Sequence, residues 1–166
     1  MSVEIKQNMD NPSDFHLIFA RNCEVRRIDK PTASAFLQAH HRYGNARARF
    51  CYGLFLKRYT GSSTPLFEAG TLVAVAQFSA ARKWIKEGKE VRSYEWVRYS
   101  STTGVRIAGG MGKMLKTFIN EQKPDDIMTY AISDWSEGDV YRKLGFVEEG
   151  IKTFGESSSI KFRLKL

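Results

Sequence analysis

Residues 94–146 decide the fold, and they open with the apolar run Tyr94-Glu95-Trp96-Val97-Arg98-Tyr99. A glycine-rich turn follows, Arg106-Ile107-Ala108-Gly109-Gly110-Met111-Gly112. The pattern then predicts a helix, a strand over 127–132 and a short helix that ends at Tyr141-Arg142-Lys143-Leu144-Gly145-Phe146. Glycines between a strand and a helix let backbone N–H groups approach a ligand, and the helix dipole favours a phosphate or pyrophosphate there. The alternative is a turn whose glycines serve only tight packing.

An Arg-x-x-Gly turn, a strand and a Tyr-x-x-Leu-Gly-Phe ending resemble the GNAT superfamily of N-acetyltransferases. The resemblance implies an α/β (α+β) fold with a mixed, mainly antiparallel central sheet flanked by helices and a splayed pair of strands at the cofactor cleft. It implies acetyl-CoA, or another acyl-CoA, as cofactor, with the pyrophosphate on residues 106–112. The last position of the family's pyrophosphate loop is usually Gly or Ala, whereas here it is Met111, and Gly112 comes one residue later. Asp134 falls near the position at which GNAT enzymes often place an asparagine that contacts the cofactor. Ser136 is named with Asp134 as a candidate cofactor-binding residue.

Length and composition predict a single soluble domain over residues 1–166, with residues 1–14 as an extended tail or edge strand. No apolar run approaches the ~20 residues of a membrane span. The N-terminus lacks the apolar segment of a signal peptide, and two cysteines are too few for a disulfide framework. We therefore expect a cytoplasmic protein with buried thiols and no membrane partner. The histidines and cysteines do not cluster, so no metal site is predicted.

The net charge of +8 is unevenly distributed along the chain. Between Asp29 and Glu87 the only acid is Glu68. The same interval carries nine basic residues: Lys30, Arg42, Arg47, Arg49, Lys57, Arg58, Arg82, Lys83 and Lys86. Such a segment attracts anions. It fits a solvated basic face with a few contacts to a phosphorylated cofactor, or a nucleic-acid substrate.

Tyr141 is the first candidate for catalysis, because acyl transfer to an amine expels a thiolate that a nearby phenol can protonate. The resemblance implies this role, and the alternative is a tyrosine packed on the sheet. Glu95 could take the proton of the amine, directly or through a water molecule. His41 is a further candidate base. It is preferred to His40, which shares the apolar face of the first helix, although a histidine at a helix end can also be purely structural.

Four arginines are candidates for substrate binding. Arg98 lies three positions after Glu95 on one strand, so the two side chains point to opposite sheet faces. Arg98 could hold a phosphate, or either residue could belong to an ion pair. Arg42, Arg47 and Arg49 follow the first helix and could line one side of the substrate entrance.

A narrower resemblance is to the phage-associated, Mom-like proteins, which act on adenine in DNA. It rests on the segments Phe36-Leu37-Gln38-Ala39-His40-His41-Arg42-Tyr43-Gly44, Tyr52-Gly53-Leu54-Phe55 and Leu72-Val73-Ala74, together with residues 94–146. The main hypothesis is an acyl-CoA-dependent N-acyltransferase with an unidentified amine acceptor. The alternatives are a Mom-like DNA adenine modification enzyme and a non-catalytic nucleic-acid-binding module of the same fold. The oligomeric state is left open.

The remaining elements follow from hydrophobic patterning. Strands are predicted at 15–19, 23–28, 50–56, 71–78, 146–154 and 159–166. One helix starts after Asp29, carries Ala35, Phe36, Ala39 and His40 on its apolar face and ends at Gly44. A second helix covers 110–121. Residues 81–90 are polar and are predicted as a long connection or a short helix. A bulky residue in place of Gly110 is expected to weaken cofactor binding with little effect on folding.

Overall fold

The computed structural model of the protein describes residues 16–59, 66–132, 138–155 and 157–166. The chain begins with β1 (His16–Phe19), a 3-10 turn (Ala20–Asn22), β2 (Cys23–Arg27), α1 (Lys30–His40), β3 (Phe50–Leu56) and β4 (Leu72–Phe78). It continues with β5 (Arg82–Lys86), β6 (Lys89–Ser101), β7 (Val105–Ala108), α2 (Gly110–Gln122), β8 (Asp126–Ile132), α3 (Gly138–Lys143), β9 (Val147–Phe154) and β10 (Ser157–Lys165).

The chain forms two compact units. The first contains the residues up to Phe78 together with Val97–Glu121, and the second contains Ser79–Trp96 and Gln122–Leu166. In the first unit the strands follow the order β2-β3-β4-β6, and in the second the order β6-β8-β10-β9, with β5 also paired to β6. The eight-stranded sheet is mostly antiparallel, so the predicted fold class is confirmed. A single domain over 1–166 stays a prediction, and the tail 1–14 lies outside the described residues.

Helix α1 begins where the sequence predicts. Asp29 Oδ1 accepts a hydrogen bond from the backbone N–H of Thr32 at 2.8 Å. Hydrogen bonds from the side chain and the backbone of Thr32 hold the pKa of the Asp29 carboxyl below its ordinary value. The helix ends at His40, so the predicted end at Gly44 is wrong. Gly44, with a φ of +69°, instead closes a turn by donating from its N–H to the His41 carbonyl.

The buried face of α1 differs in part from the predicted one. Ala33, Phe36 and Leu37 pack against β3 and β4 in the first unit. Ala35 and Ala39 are exposed, so their assignment to the core is wrong. Burying Leu37 removes more apolar surface from water than burying either alanine could. The helix is therefore oriented with positions 33, 36, 37 and 40 toward the sheet.

Helix α2 packs on the opposite face of the same sheet. Phe118 stacks on Phe78 of β4 with ring centroids 3.9 Å apart and meets Tyr52 of β3 edge-on. Tyr52 donates from its hydroxyl to Glu121 Oε1 at 2.8 Å. The predicted apolar face of α2 is therefore anchored on aromatic rings.

Residues 81–90 form neither a loop nor a helix, and that prediction is wrong. β5 pairs with β6 from Arg82↔Ser93 to Lys86↔Lys89. The two-residue turn between them has positive φ angles, +52° at Glu87 and +78° at Gly88, as hairpins with right-handed twist require. The hairpin escapes prediction because its β5 residues are all exposed and show no apolar alternation.

Cys23 and Cys51 are buried free thiols, as expected, and burial raises the pKa of each. Among the described residues no helix is long and apolar enough to cross a membrane. The described ranges also contain no group of three or more His, Cys, Asp or Glu side chains that could hold a metal ion.

Candidate active site

The glycine-rich turn is shorter than predicted. Residues 106–108 belong to β7, which pairs in parallel with β1 through Leu17↔Arg106 and Phe19↔Ala108. Gly109 alone separates β7 from α2, and its φ of +79° lies in the region that favours glycine. The alternation of β7 leaves Arg106 exposed and buries Ile107. Of these side chains, the Arg106 guanidinium is therefore the group that can meet an anion from solvent, whereas Ile107 contributes packing.

The first turn of α2 presents main-chain donors. The Lys113 N–H is the one that bonds back to Gly109, at 3.1 Å. The N–H groups of Gly110, Met111 and Gly112 lie at the start of the helix, so no carbonyl of the helix can accept a hydrogen bond from them. The turn carries no acidic residue, so the positive end of the helix dipole is not offset there. Met111 lies within the helix, where a side chain is tolerated, and its departure from the family pattern leaves these amides in place.

Gly110 is enclosed by two side chains. A Cβ at this position would lie 2.9 Å from Ile107 Cγ2 and 2.9 Å from the Tyr99 hydroxyl. The expectation that a larger residue would hardly affect folding is therefore wrong. The loss of water around the Tyr99 phenol raises its pKa above the ordinary value.

Gly110→Ala should lower the free energy of unfolding by about 1–3 kcal/mol, because it overpacks the turn. Urea unfolding measures the loss, and Tyr99→Phe in the same chain should recover part of it by removing one of the two crowding atoms. As a control, Arg106→Ala changes an exposed residue nearby, and its free energy of unfolding should stay within about 0.5 kcal/mol of that of the parent. An unchanged urea midpoint for Gly110→Ala would contradict the packing described here.

Two residues that sequence reasoning missed shape this turn. Tyr99 closes over Gly110, and Lys113 donates from Nζ to the carbonyls of Ala20, at 3.0 Å, and Cys23, at 2.5 Å. Lys113 thereby ties the first turn of α2 to the 3-10 turn after β1. No sequence signal marks either residue, because each acts across elements far apart in the chain.

Tyr141 lies in an aromatic cluster of the second unit. It is only 7% exposed, and its ring meets Trp96 edge-on at 5.9 Å between centroids. Phe146 and Phe162 approach the same ring at 5.6 and 5.7 Å. The cluster holds the ring in one orientation, as either an acid or a packing residue requires. The catalytic role of Tyr141 stays a prediction.

Glu95 lies in the short parallel ladder between β6 and β8. The ladder runs from Ser93↔Asp126 to Glu95↔Met128. One residue later the Thr129 hydroxyl donates to the Trp96 carbonyl at 2.9 Å. The backbone of Glu95 exchanges hydrogen bonds with Ser79, at 2.8 Å each. Its half-buried carboxylate stays a candidate base.

The histidines and Arg98 take structural contacts in the first unit. His41 Nδ1 accepts the Tyr43 N–H at 3.0 Å, and His40 Nδ1 accepts the Thr103 N–H at 2.9 Å. In each neutral ring the proton is then on Nε2, so the basic nitrogen is already engaged. Arg98 donates from Nε to the Gly44 carbonyl at 3.2 Å. These contacts brace the chain around the end of α1.

The remaining candidates that the structure describes belong to the first unit. Arg42, Arg47 and Arg49 are all exposed, and the Arg42 guanidinium lies 5.8 Å from the centre of the Tyr43 ring. Asp134 and Ser136 lie outside the described residues. The described structure thus collects Arg106 and the amides of residues 110–112 at one turn.

Solved structures of similar fold come from the GNAT acetyltransferases. A ribosomal-protein-S5-alanine acetyltransferase from Vibrio fischeri is 13% identical, with a TM-score of 0.59, over 87% of this chain and 93% of that one. A Bacillus subtilis acetyltransferase, solved in complex with CoA, is 14% identical, with a TM-score of 0.56, over 87% and 98% of the two chains. A nourseothricin acetyltransferase is 10% identical, with a TM-score of 0.54, over 87% and 98%.

At these identities the likeness establishes the fold: the chain folds as the GNAT acetyltransferases do. No protein-family model matches the sequence, and no curated protein matches it. The comparisons give no support to the narrower Mom-like resemblance or to DNA modification.

Proposed function

We propose that this protein is an acyl-CoA-dependent N-acyltransferase that uses acetyl-CoA and acylates an amine. The observation that carries the proposal is the turn between β7 and α2. Three amides without a helical acceptor, an exposed arginine and the absence of an acid in the first turn suit a pyrophosphate. The fold shared with an acetyltransferase solved in complex with CoA supports the same ligand.

The reaction needs two proton movements that residues of this chain can supply. The amine nitrogen attacks the thioester carbonyl, a C–N bond forms, and the C–S bond breaks to release the CoA thiolate. Tyr141 would donate its phenolic proton to that sulfur, and Glu95, or a water molecule held by it, would take the proton lost by the nitrogen. Solvent would then restore both groups.

Thiol release tests the proposal. The protein is incubated with acetyl-CoA and pooled primary amines, such as polyamines, amino acids and peptides with free N-termini. Free CoA thiol should appear faster with a suitable amine than without one, and mass spectrometry should find that amine acetylated. Failure of the protein to bind acetyl-CoA at about 1 mM, the upper end of ordinary substrate affinities, would refute the proposal.

A further inference from the structure

The hairpin of β5 and the start of β6 has one face whose charges are all positive. Residues directly opposite each other on antiparallel strands share a face. The register pairs Arg82 with Ser93, Trp84 with Val91, and Lys86 with Lys89. We call these six residues the basic face of the hairpin. Its cations are Arg82, Lys86 and Lys89. The opposite face is mixed, because it bears Lys83, Ile85, Glu90 and Arg92.

The three cations of the basic face are available to a ligand. Arg82, Lys86 and Lys89 are exposed. None of the ion pairs found among the described residues includes any of them. Unpaired cations of one sign on a narrow two-stranded ribbon produce a local positive potential that attracts a polyanion.

Trp84 lies between these cations with its ring held in one orientation. Its indole N–H donates to the Ser93 hydroxyl at 2.8 Å, and that hydroxyl donates to Asp126 at 2.9 Å. Asp126 is buried and forms an ion pair with Arg163 at 2.6 Å. The tryptophan nevertheless stays 40% exposed. An oriented, partly exposed indole loses little side-chain entropy when a flat ligand stacks on it.

We propose that the basic face of the hairpin binds single-stranded nucleic acid, with a base stacked on Trp84 and phosphates contacted by Arg82, Lys86 and Lys89. Sequence-tolerant binding of single strands combines these two elements, a positive track and an aromatic platform. Every unpaired base presents a π-face, whereas the bases of a duplex cover one another. This binding does not depend on acyl transfer.

The arrangement of the apolar residues argues against a lipid surface. Trp84 and Ile85 are consecutive on a strand, so they point to opposite faces. The turn at the tip runs from Lys86 through Glu87 and Gly88 to Lys89, and it offers no apolar group to insert. A membrane-binding hairpin would carry a larger apolar cluster on one side, whereas here Val91 alone accompanies Trp84 and Ile85 lies on the opposite face.

Salt-dependent binding of a labelled oligodeoxythymidylate, followed by fluorescence anisotropy, tests the cations. Replacing Arg82, Lys86 and Lys89 together with alanine should flatten the log–log salt slope by about 2 units. The matched control replaces Lys30, Lys57 and Lys116, three exposed lysines of the first unit, and should leave the slope near that of the parent. No binding by the parent at low salt, or an equal loss in the control, would overturn the proposal.

Substitutions at Trp84 test the stacking separately. Trp84→Leu, which keeps apolar bulk but lacks a π-face, should weaken binding by about tenfold. Trp84→Phe should keep most of the affinity, and Ile85→Ala, on the opposite face, should not alter it. Equal affinities of Trp84→Leu and the parent, or tighter binding to duplex DNA or to anionic vesicles, would overturn the proposal. Acetyl-CoA affinity should be unchanged in all variants, so a failure here is distinguishable from a failure of the acyltransferase proposal.

Discussion

Replacing Tyr141 with phenylalanine should lower the turnover rate of acyl transfer by about 10²-fold, because the thiolate would leave without a proton donor. The affinity for acetyl-CoA should hardly move. The phenyl ring keeps its contacts with Trp96, Phe146 and Phe162, so the urea midpoint should also stay close to that of the parent.

The matched control for this variant is Tyr52→Phe. Tyr52 is also buried, but its hydroxyl donates to Glu121 in the first unit, and the proposal gives it no part in the reaction. Its removal should lower stability slightly and leave turnover intact. A Tyr141→Phe enzyme with the turnover of the parent would show that Tyr141 only packs the core of its unit.

Replacing Met111 with proline should weaken acetyl-CoA binding by about 10- to 100-fold, because it deletes one charge-assisted hydrogen bond to the pyrophosphate. Proline is tolerated in the first turn of a helix, where its missing N–H has no intrahelical acceptor. Met111→Ala keeps the amide and removes nearly the same side-chain atoms, so it should bind acetyl-CoA as the parent does. Calorimetric titration compares the three proteins.

Stability must be measured alongside these titrations. If Met111→Pro and Met111→Ala unfold at similar urea concentrations but differ in affinity, the difference belongs to the amide. Equal affinities in the two folded variants would mean that the phosphates of the cofactor do not use the N–H of residue 111, and the proposed geometry of the turn would have to be abandoned.

The predictable parts of the structure are those in which a local pattern is strong. Asp29 followed by Pro31 marks the start of α1, and the apolar spacing from Met111 to Phe118 marks α2. The buried run of β4 is continuous and apolar, so it could be assigned as a central strand. The strand–glycine–helix pattern likewise locates the candidate anion site within a few residues.

The parts that could not be predicted depend on contacts between distant segments. The pairing of β1 with β7 turns Arg106 and Ile107 from loop residues into strand residues, and nothing near them in the sequence indicates it. The Tyr99 hydroxyl beside Gly110 is equally non-local. The β5 strand of the hairpin at 81–90 is exposed along its whole length, so it shows no alternation of apolar residues from which a strand could be predicted.

Amide NMR spectra recorded while CoA is added test the binding of CoA at the first turn of α2 most directly. The amide signals of Gly110, Met111 and Gly112 should shift more than those of the rest of α2, since their N–H groups would take the pyrophosphate as acceptor. Saturating CoA that leaves these three signals in place, or shifts only signals elsewhere, would contradict it.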